Sequence, residues 1–350
     1  IEHLKTYQLY AVTNVKMLAM GCVIESQRTK LYPMLFEPNL RSMVWGGKRL
    51  TEWKQLPLQD NIGESWEVST LPLLPSTIAN GTWAGYPLKE VIEKQPEAIL
   101  GKAVARKYNN QMPLLVKFID TRDDLSVQVH PDDALAIQRH GTRGKTEMWY
   151  VVDAAQGARL CSGLSQRMTK DDYAHRVAQG TIEDVLHYEK VSAGDVFFLP
   201  AGRVHSIGAG CMIAEIQEAS DITYRIFDWN RVDSEGKSRE LHTALAVDAI
   251  DFESGVEECR RTYAPEANKE VNIVDCDFFK TDMLVVDGVA ELDYCKRDSF
   301  TIYMCIEGDA KVTLDGETSE TLRTGEVMLI PAIANEVVIE GKAQILASHL

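Results

Sequence analysis

Two histidines and a glutamate, His130, Glu147 and His205, are of the types and spacing that could share one divalent cation. Leu125-Ser-Val-Gln-Val-His130 alternates apolar with polar residues. Successive side chains of a strand point to opposite faces, so Ser126, Gln128 and His130 fall on one side and Leu125, Val127 and Val129 on the other. Pro131 ends that strand directly after His130. By the same rule Lys145, Glu147 and Trp149 share a face of a later strand, and Pro200-Ala-Gly-Arg-Val-His205 delivers a second imidazole just past a turn. A polar face that lines a barrel interior must find partners, because an unpaired buried polar group costs about 1–3 kcal/mol. A metal ion is such a partner. Two imidazoles and one carboxylate, with the neutral Gln128 oxygen as a fourth donor, form an N/O set suited to Zn2+. The same two-His-one-carboxylate set suits non-haem Fe(II), and spacing does not choose between them.

A lone histidine is more often a satisfied core or surface residue. The metal reading comes from two of them converging with Glu147 on polar strand faces. His140 and His175 fall in expected helices, His187 and His242 lack a paired carboxylate on a strand, and His3 and His349 lie near the ends. None of these is assigned a role.

The elements that must position such a site are mostly short strands. Runs at Pro113–Asp120, Leu125–His130, Glu147–Val152, Asp195–Pro200, Ala209–Gln217 and Thr223–Asp228 are punctuated by Gly, Pro and Asp, the pattern of a β-sandwich or jelly-roll barrel. One helix is expected from Pro87 to about Lys107, with apolar residues at Val91, Ile92, Ile99 and Leu100. Helical inserts are expected at Pro131–Arg139 and Thr169–Leu186. Polar residues 251–270 read as a linker, and Phe278–Leu350 returns to short strands. Gly194-Asp-Val-Phe-Phe-Leu-Pro-Ala201 matches Gly325-Glu-Val-Met-Leu-Ile-Pro-Ala332 in its spacing of Gly and Pro, which sets Glu336 opposite His205. The chain therefore reads as a leader at 1–30, a metal-binding barrel at 31–250, the linker, and a second barrel at 271–350 without metal ligands.

Bulk properties limit the partners. The 350 residues suffice for two domains, and 45% hydrophobic with 25% charged residues describes an ordinary globular protein. No apolar run approaches the ~20 residues that span a bilayer. A net charge of -15 argues against non-specific nucleic-acid binding, which needs a basic surface, yet permits a locally positive pocket. Seven cysteines with no CxxC pair fit a reducing cytoplasm better than a disulfide framework. Met17–Cys22 has the look of a lipoprotein cleavage box but lacks a preceding apolar region, so residues 1–30 are expected to add little to the fold.

Four segments, Gln128-Val-His130-Pro131, Gly144-Lys-Thr-Glu147-Met-Trp149-Tyr150, Pro200-Ala-Gly-Arg-Val-His205 and Ala219-Ser-Asp-Ile-Thr-Tyr-Arg225, together resemble the type I phosphomannose isomerases of the cupin superfamily. Trp45-Gly-Gly47 and Gly63-Glu-Ser-Trp66-Glu67 fit the N-terminal part of that family. The resemblance runs from about Leu31 to Leu350 and is closer to the short bacterial form; in the C-terminal third only the strand pattern carries it. It implies a mainly β chain of two cupin (jelly-roll) barrels with helical inserts in the first. It also implies one Zn2+ per chain on residues matching Gln128, His130, Glu147 and His205. Arg225 and Lys145 would be catalytic, and Ser126, Lys117, Trp66 and Glu67 would bind substrate. The implied reaction interconverts mannose 6-phosphate and fructose 6-phosphate through an enediolate, in a cytoplasmic monomer or weak homodimer whose partner is a small sugar phosphate. Its general base lies open between a water on the metal and a carboxylate such as Glu67. Competing readings are a cupin Fe(II) oxygenase, a non-catalytic sugar-binding cupin, and an enzyme of a neighbouring sugar phosphate such as glucose 6-phosphate.

Overall fold

A computed structural model describes residues 31–232, 236–253 and 258–350. The expected leader at 1–30 lies outside the described residues. Pro33–Leu350 form one compact unit. In chain order its first strands are β1 (Met34–Leu35), β2 (Leu40–Gly47), β3 (Ile62–Val68), β4 (Leu114–Asp120), β5 (Val127–Val129), β6 (Glu147–Ala154) and β7 (Arg159–Leu164). They are followed by β8 (Leu186–Lys190), β9 (Val196–Leu199), β10 (His205–Ile207), β11 (Cys211–Glu218), β12 (Tyr224–Phe227) and β13 (Arg260–Arg261).

All of these strands but β1 make two facing sheets of a jelly roll. The larger runs β13-β9-β6-β11-β4-β3-β2 and the smaller β12-β5-β10-β7-β8. Between them lies a core that includes Trp45, Ile119, Trp149, Leu160, Phe197, Ile207 and Ile213. The smaller sheet is also covered from outside. Val127 and Val129 turn away from the barrel interior and pack with Tyr173, Ile182, Tyr224, Ala246 and Ile250. The alternation in Leu125–His130 therefore does what its period dictates, with one exception. Leu125 precedes β5 and belongs to the inter-sheet core rather than to the valine face.

The covering helices have local causes. Asp132 accepts the Leu135 amide at 2.8 Å and starts the helix Asp133–His140. Thr169 and Asp172 form a reciprocal capping box ahead of Lys170–Gln179. The single helix expected from Pro87 to Lys107 is instead three short ones, Leu88–Lys94, Pro96–Leu100 and Lys102–Lys107. Pro96 can only open a helix, and Gly101 adopts φ 93, ψ 152. The last break docks this segment onto the C-terminal half. Lys102 and Ala103 donate backbone N–H groups to the Asp298 carboxylate, and the carbonyls of Ala98 and Ile99 accept from Ile333 and Ala332.

The C-terminal strands are β14 (Glu270–Asp275), β15 (Lys280–Asp293), β16 (Thr301–Leu314), β17 (Thr318–Arg323), β18 (Val327–Ile330) and β19 (Glu336–His349). Three of them are 14 residues long, not short as expected. The pairing of β15 with β19 runs unbroken from Lys280 opposite His349 to Asp293 opposite Glu336. Their own core includes Leu284, Tyr303, Val312, Met328 and Ile345. The repeat seen in the sequence is a repeated strand: β9 and β18 each begin two residues after their glycine, and His205 and Glu336 each open the next strand. Two features join the halves in unexpected ways. β1 pairs with β18, so the first strand among the described residues lies in the C-terminal sheet. The polar stretch read as a linker supplies β13, whose Arg260 and Arg261 pair with Phe197 and Val196. Among the described residues no helix is long and apolar enough to cross a membrane.

A Cβ on residue 101 would lie 2.3 Å from the Asp298 carbonyl oxygen, and its backbone region alone costs a non-glycine residue roughly 1–3 kcal/mol. Gly101→Ala is therefore expected to lower the urea midpoint well below that of Gly85→Ala, where a Cβ meets open space. Equal midpoints would show that this junction does not constrain the fold.

Candidate active site

Sheet register aligns the functional side chains in two facing rows. In the smaller sheet Gln128 sits between His205 on one side and Arg225 on the other. Across the larger sheet Trp66 pairs with Lys117, Lys117 with Glu215, and Glu215 with Trp149. His130 follows the end of β5, and Glu147 is the first residue of β6.

His130, Glu147 and His205 are buried, with one potential ligand atom from each lying within 4.8 Å of the others. His130 Nε2 is 3.5 Å from Glu147 Oε2, and His205 Nε2 is 3.3 Å from Oε1. The opposite ring nitrogens face carbonyl oxygens, His130 Nδ1 that of Ile222 and His205 Nδ1 that of Arg203, both at 2.8 Å. A carbonyl only accepts, so each Nδ1 carries the proton and each Nε2 turns a lone pair toward the carboxylate. Burial, aided by the Lys145 charge, lowers the His130 pKa well below its ordinary value, and burial lowers that of His205. Both rings are thus neutral and able to ligate.

Glu147 is sealed from solvent. Lys145 Nζ lies 2.8 Å from its Oε2, yet neither carboxylate oxygen accepts a hydrogen bond of good geometry. A buried carboxylate left so is costly, and a cation between it and the two Nε2 atoms would satisfy it. Gln128 Nε2 is 3.3 Å from His205 Nε2. Turning the amide over, an assignment that the hydrogen-bond network decides, places its oxygen there as a fourth donor. Two imidazole nitrogens, a carboxylate and an amide oxygen fit a divalent transition-metal ion.

Above this cluster opens a cavity of about 250 Å³. Gln128, Ser126 and Lys145 line it, together with Lys117, Glu215, Trp149 and Trp66. Lys117 Nζ pairs with Glu215 Oε2 at 3.1 Å and sits 4.9 Å over the Trp66 ring; Trp149 Nε1 donates to Glu215 Oε1 at 3.0 Å. Burial opposes the charge on Lys145, but the carboxylates of Glu147 and Glu215 outweigh it and raise its pKa. Burial likewise opposes the charge on Glu215, and Lys117 and Lys145 outweigh it, holding its carboxyl below the usual range. Arg225 reaches the same cavity, donating through Nε to Ser126 Oγ at 3.3 Å and through Nη1 to the Glu240 carbonyl at 2.8 Å.

All the residues singled out in the sequence meet at this cavity or its metal cluster except Glu67. On β3, Glu64 and Trp66 face the cavity, so Glu67 faces the other way. It pairs with Lys54 Nζ at 2.7 Å, both side chains being almost completely buried. This removes Glu67 as a substrate contact and as a base. The cavity also holds residues not singled out: Arg41, Glu64, Glu215 and Arg239. Glu215 had a readable signal, a lone charge inside the apolar run Met212-Ile-Ala-Glu-Ile216. A larger cavity of about 630 Å³ lies elsewhere, lined by Trp53, Tyr150, Tyr263 and Glu307 among others, and contains none of these groups.

Residues 34–154 match the family model of the phosphomannose isomerase type I catalytic domain, and residues 269–350 that of the mannose-6-phosphate isomerase cupin domain. The mannose-6-phosphate isomerase ManA of Bacillus subtilis (strain 168) is 33% identical over 322 residues, covering 91% of this chain and 99% of that protein. The chain belongs to the type I phosphomannose isomerase family. A mannose-6-phosphate isomerase of Streptococcus mutans is 30% identical over 319 residues, covering 91% of this chain and 98% of its own. The crystal structure of the Bacillus subtilis mannose 6-phosphate isomerase superposes with a TM-score of 0.82 at 30% identity, covering 91% of this chain and all of that one. The mainly β, two-cupin architecture expected from the sequence is thereby confirmed, and the three-residue cluster gives it a metal-binding site.

A divalent metal at a hundred times its Kd is expected to stabilise the protein by about 2.7 kcal/mol in urea unfolding. His205→Ala should lose both this increment and the bound metal, as read by elemental analysis after dialysis. Full metal content in that variant would place the ion elsewhere.

Proposed function

We propose that this protein is a Zn2+-dependent mannose-6-phosphate isomerase that interconverts mannose 6-phosphate and fructose 6-phosphate through an enediolate. The observation that carries the reading is the convergence of His130, Glu147 and His205 beneath a cavity walled by Lys117, Lys145, Ser126 and Arg225. Relatives that align over nearly their whole length are named for this activity. Gln128, His130, Glu147 and His205 would hold the ion, whose donor set suits zinc. When bound, Zn2+ supplies Lewis-acid polarisation of the sugar oxygens at C1 and C2.

The remaining chemistry falls to the chain. Moving the carbonyl between C1 and C2 takes a proton from the neighbouring carbon and develops negative charge on oxygen. Arg225, permanently cationic and anchored on Ser126, stabilises that charge at one side of the cavity. Lys145 stays protonated and donates to a sugar oxygen at the other side. Lys117 and Glu215 form a fixed donor–acceptor pair for substrate hydroxyls, and Trp66 and Trp149 close the walls against water. Among the described residues the glutamates that face the cavity, and so can carry the proton, are Glu64 and Glu215. The substrate is a small sugar phosphate. Six free cysteines among the described residues support a reducing cytoplasm as the compartment.

The deciding measurement is a coupled assay of fructose 6-phosphate formed from mannose 6-phosphate. Chelation should abolish turnover and Zn2+ restore it. Chelator-insensitive turnover would remove the ion from the mechanism, and an iron-loaded protein that consumes O2 without isomerising sugar would make it an oxygenase. Arg225→Ala should keep its metal while kcat falls roughly 100- to 1,000-fold. An unchanged kcat would refute the role given to Arg225.

A further inference from the structure

Three guanidinium groups gather around one carboxylate beside the cavity. Arg239 donates to Asp228 through Nε at 2.8 Å and Nη2 at 2.5 Å. Arg231 reaches the same carboxylate through Nη2 at 2.5 Å and holds the Asp124 carbonyl through Nη1 at 2.6 Å. Arg225 lies close enough to both that, after burial, their charges depress its pKa. One buried carboxylate cannot neutralise three cations. The other acids nearby, Asp221 and Glu240, are exposed, so water screens them.

The surplus positive charge points into the cavity. Arg225 and Arg239 line it and Arg231 does not. Arg239 spends Nε and Nη2 on Asp228, and its Nη1 makes no hydrogen bond to the described residues; the same holds for Nη2 of Arg225. Two guanidinium groups, each held through two of its nitrogens and with one terminal amino group making no hydrogen bond to the described residues, form a docking point for a dianion, since charged N–H donors match phosphate oxygens. Its place fits the rest of the site. The row from His205 through Gln128 to Arg225 crosses three strands, roughly 10 Å at the backbone, with Arg225 one strand from the candidate ligand Gln128 and Arg239 lining the same small cavity.

We infer that Arg239 binds the phosphate group of the substrate, with Arg225 adding its charge and Asp228 holding Arg239 in place. The inference rests on the sugar-phosphate reading and adds the residue that makes the site select phosphorylated sugars.

Inorganic phosphate is the probe, because its binding is read apart from turnover. With metal-loaded protein, Arg239→Ala should raise the calorimetric dissociation constant of phosphate and the KM for mannose 6-phosphate about tenfold or more, the loss of a charge-assisted contact. Its kcat should change less than about threefold on the same argument, and its bound metal not at all. Arg239→Lys should recover part of the affinity, and Arg231→Ala should stay near the parent. If Arg239→Ala does not fold, Arg239→Gln carries the same test, since it keeps a donor for Asp228. An unchanged phosphate dissociation constant would overturn the inference. So would an equal loss in Arg231→Ala, which would make the effect one of loop structure. A parent that binds phosphate through Arg239 yet does not isomerise mannose 6-phosphate would uphold the phosphate site and sink the isomerase reading.

Discussion

The Glu147 carboxylate, sealed inside a β-barrel without a well-aligned donor, is the constraint around which the catalytic half is arranged. The two histidines turn unprotonated nitrogens toward it because backbone carbonyls of Ile222 and Arg203 fix their other faces. Those carbonyls are supplied by loops that run from the larger sheet into the smaller one, so the geometry of the cluster is inherited from backbone that two layers hold in place. The valine face of β5 is pinned under helices on one side while its polar face meets the carboxylate on the other. Slipping that strand by one residue would bury the valines in the site and expose the imidazole to the helices.

From Glu147 the charges alternate outward. Lys145 bridges Glu147 and Glu215, and Glu215 in turn holds Lys117. Each group is buried, and for Lys145 and Glu215 neighbours of opposite sign outweigh the burial that opposes their charge. Such a chain is fragile to single deletions, which strand a charge in a medium of low polarity. It also gives the cavity fixed donors and acceptors whose orientation does not depend on the substrate, the preorganisation that favours charge development over ground-state binding.

Much of this was legible in the residues. Period-two alternation identified the faces of β5, and the Gly-to-Pro spacing around Gly194 and Gly325 marked equivalent strands in both halves. The places where reading failed have physical causes. Gly63–Glu67 was read as a motif without assigning it to a strand, so Trp66 and Glu67 were given one pocket although neighbours on a strand cannot share it. The apolar spacing of 87–107 indicated helix correctly, but Pro96 and Gly101 divide it where it must dock on Asp298. The long C-terminal strands are set by the register of β15, β16 and β19, a tertiary property that no local window contains. Arg239 lies on a loop, and nothing near it in the chain announces that Asp228 will hold it.

The pairing of β1 with β18 has a consequence for how the chain is made. Met34 emerges from the ribosome roughly 300 residues before its partner Leu329. At ordinary synthesis rates that interval is roughly 15–60 s. Throughout it the β18-facing edge of β1 is unsatisfied, although every strand of the two catalytic sheets, β13 included, has been made by residue 261. A nascent chain of this kind offers a short hydrophobic edge, Met34-Leu35, to any other unfinished copy nearby. Expression yield should therefore depend on translation speed and on holdase chaperones more than the stability of the finished protein would suggest.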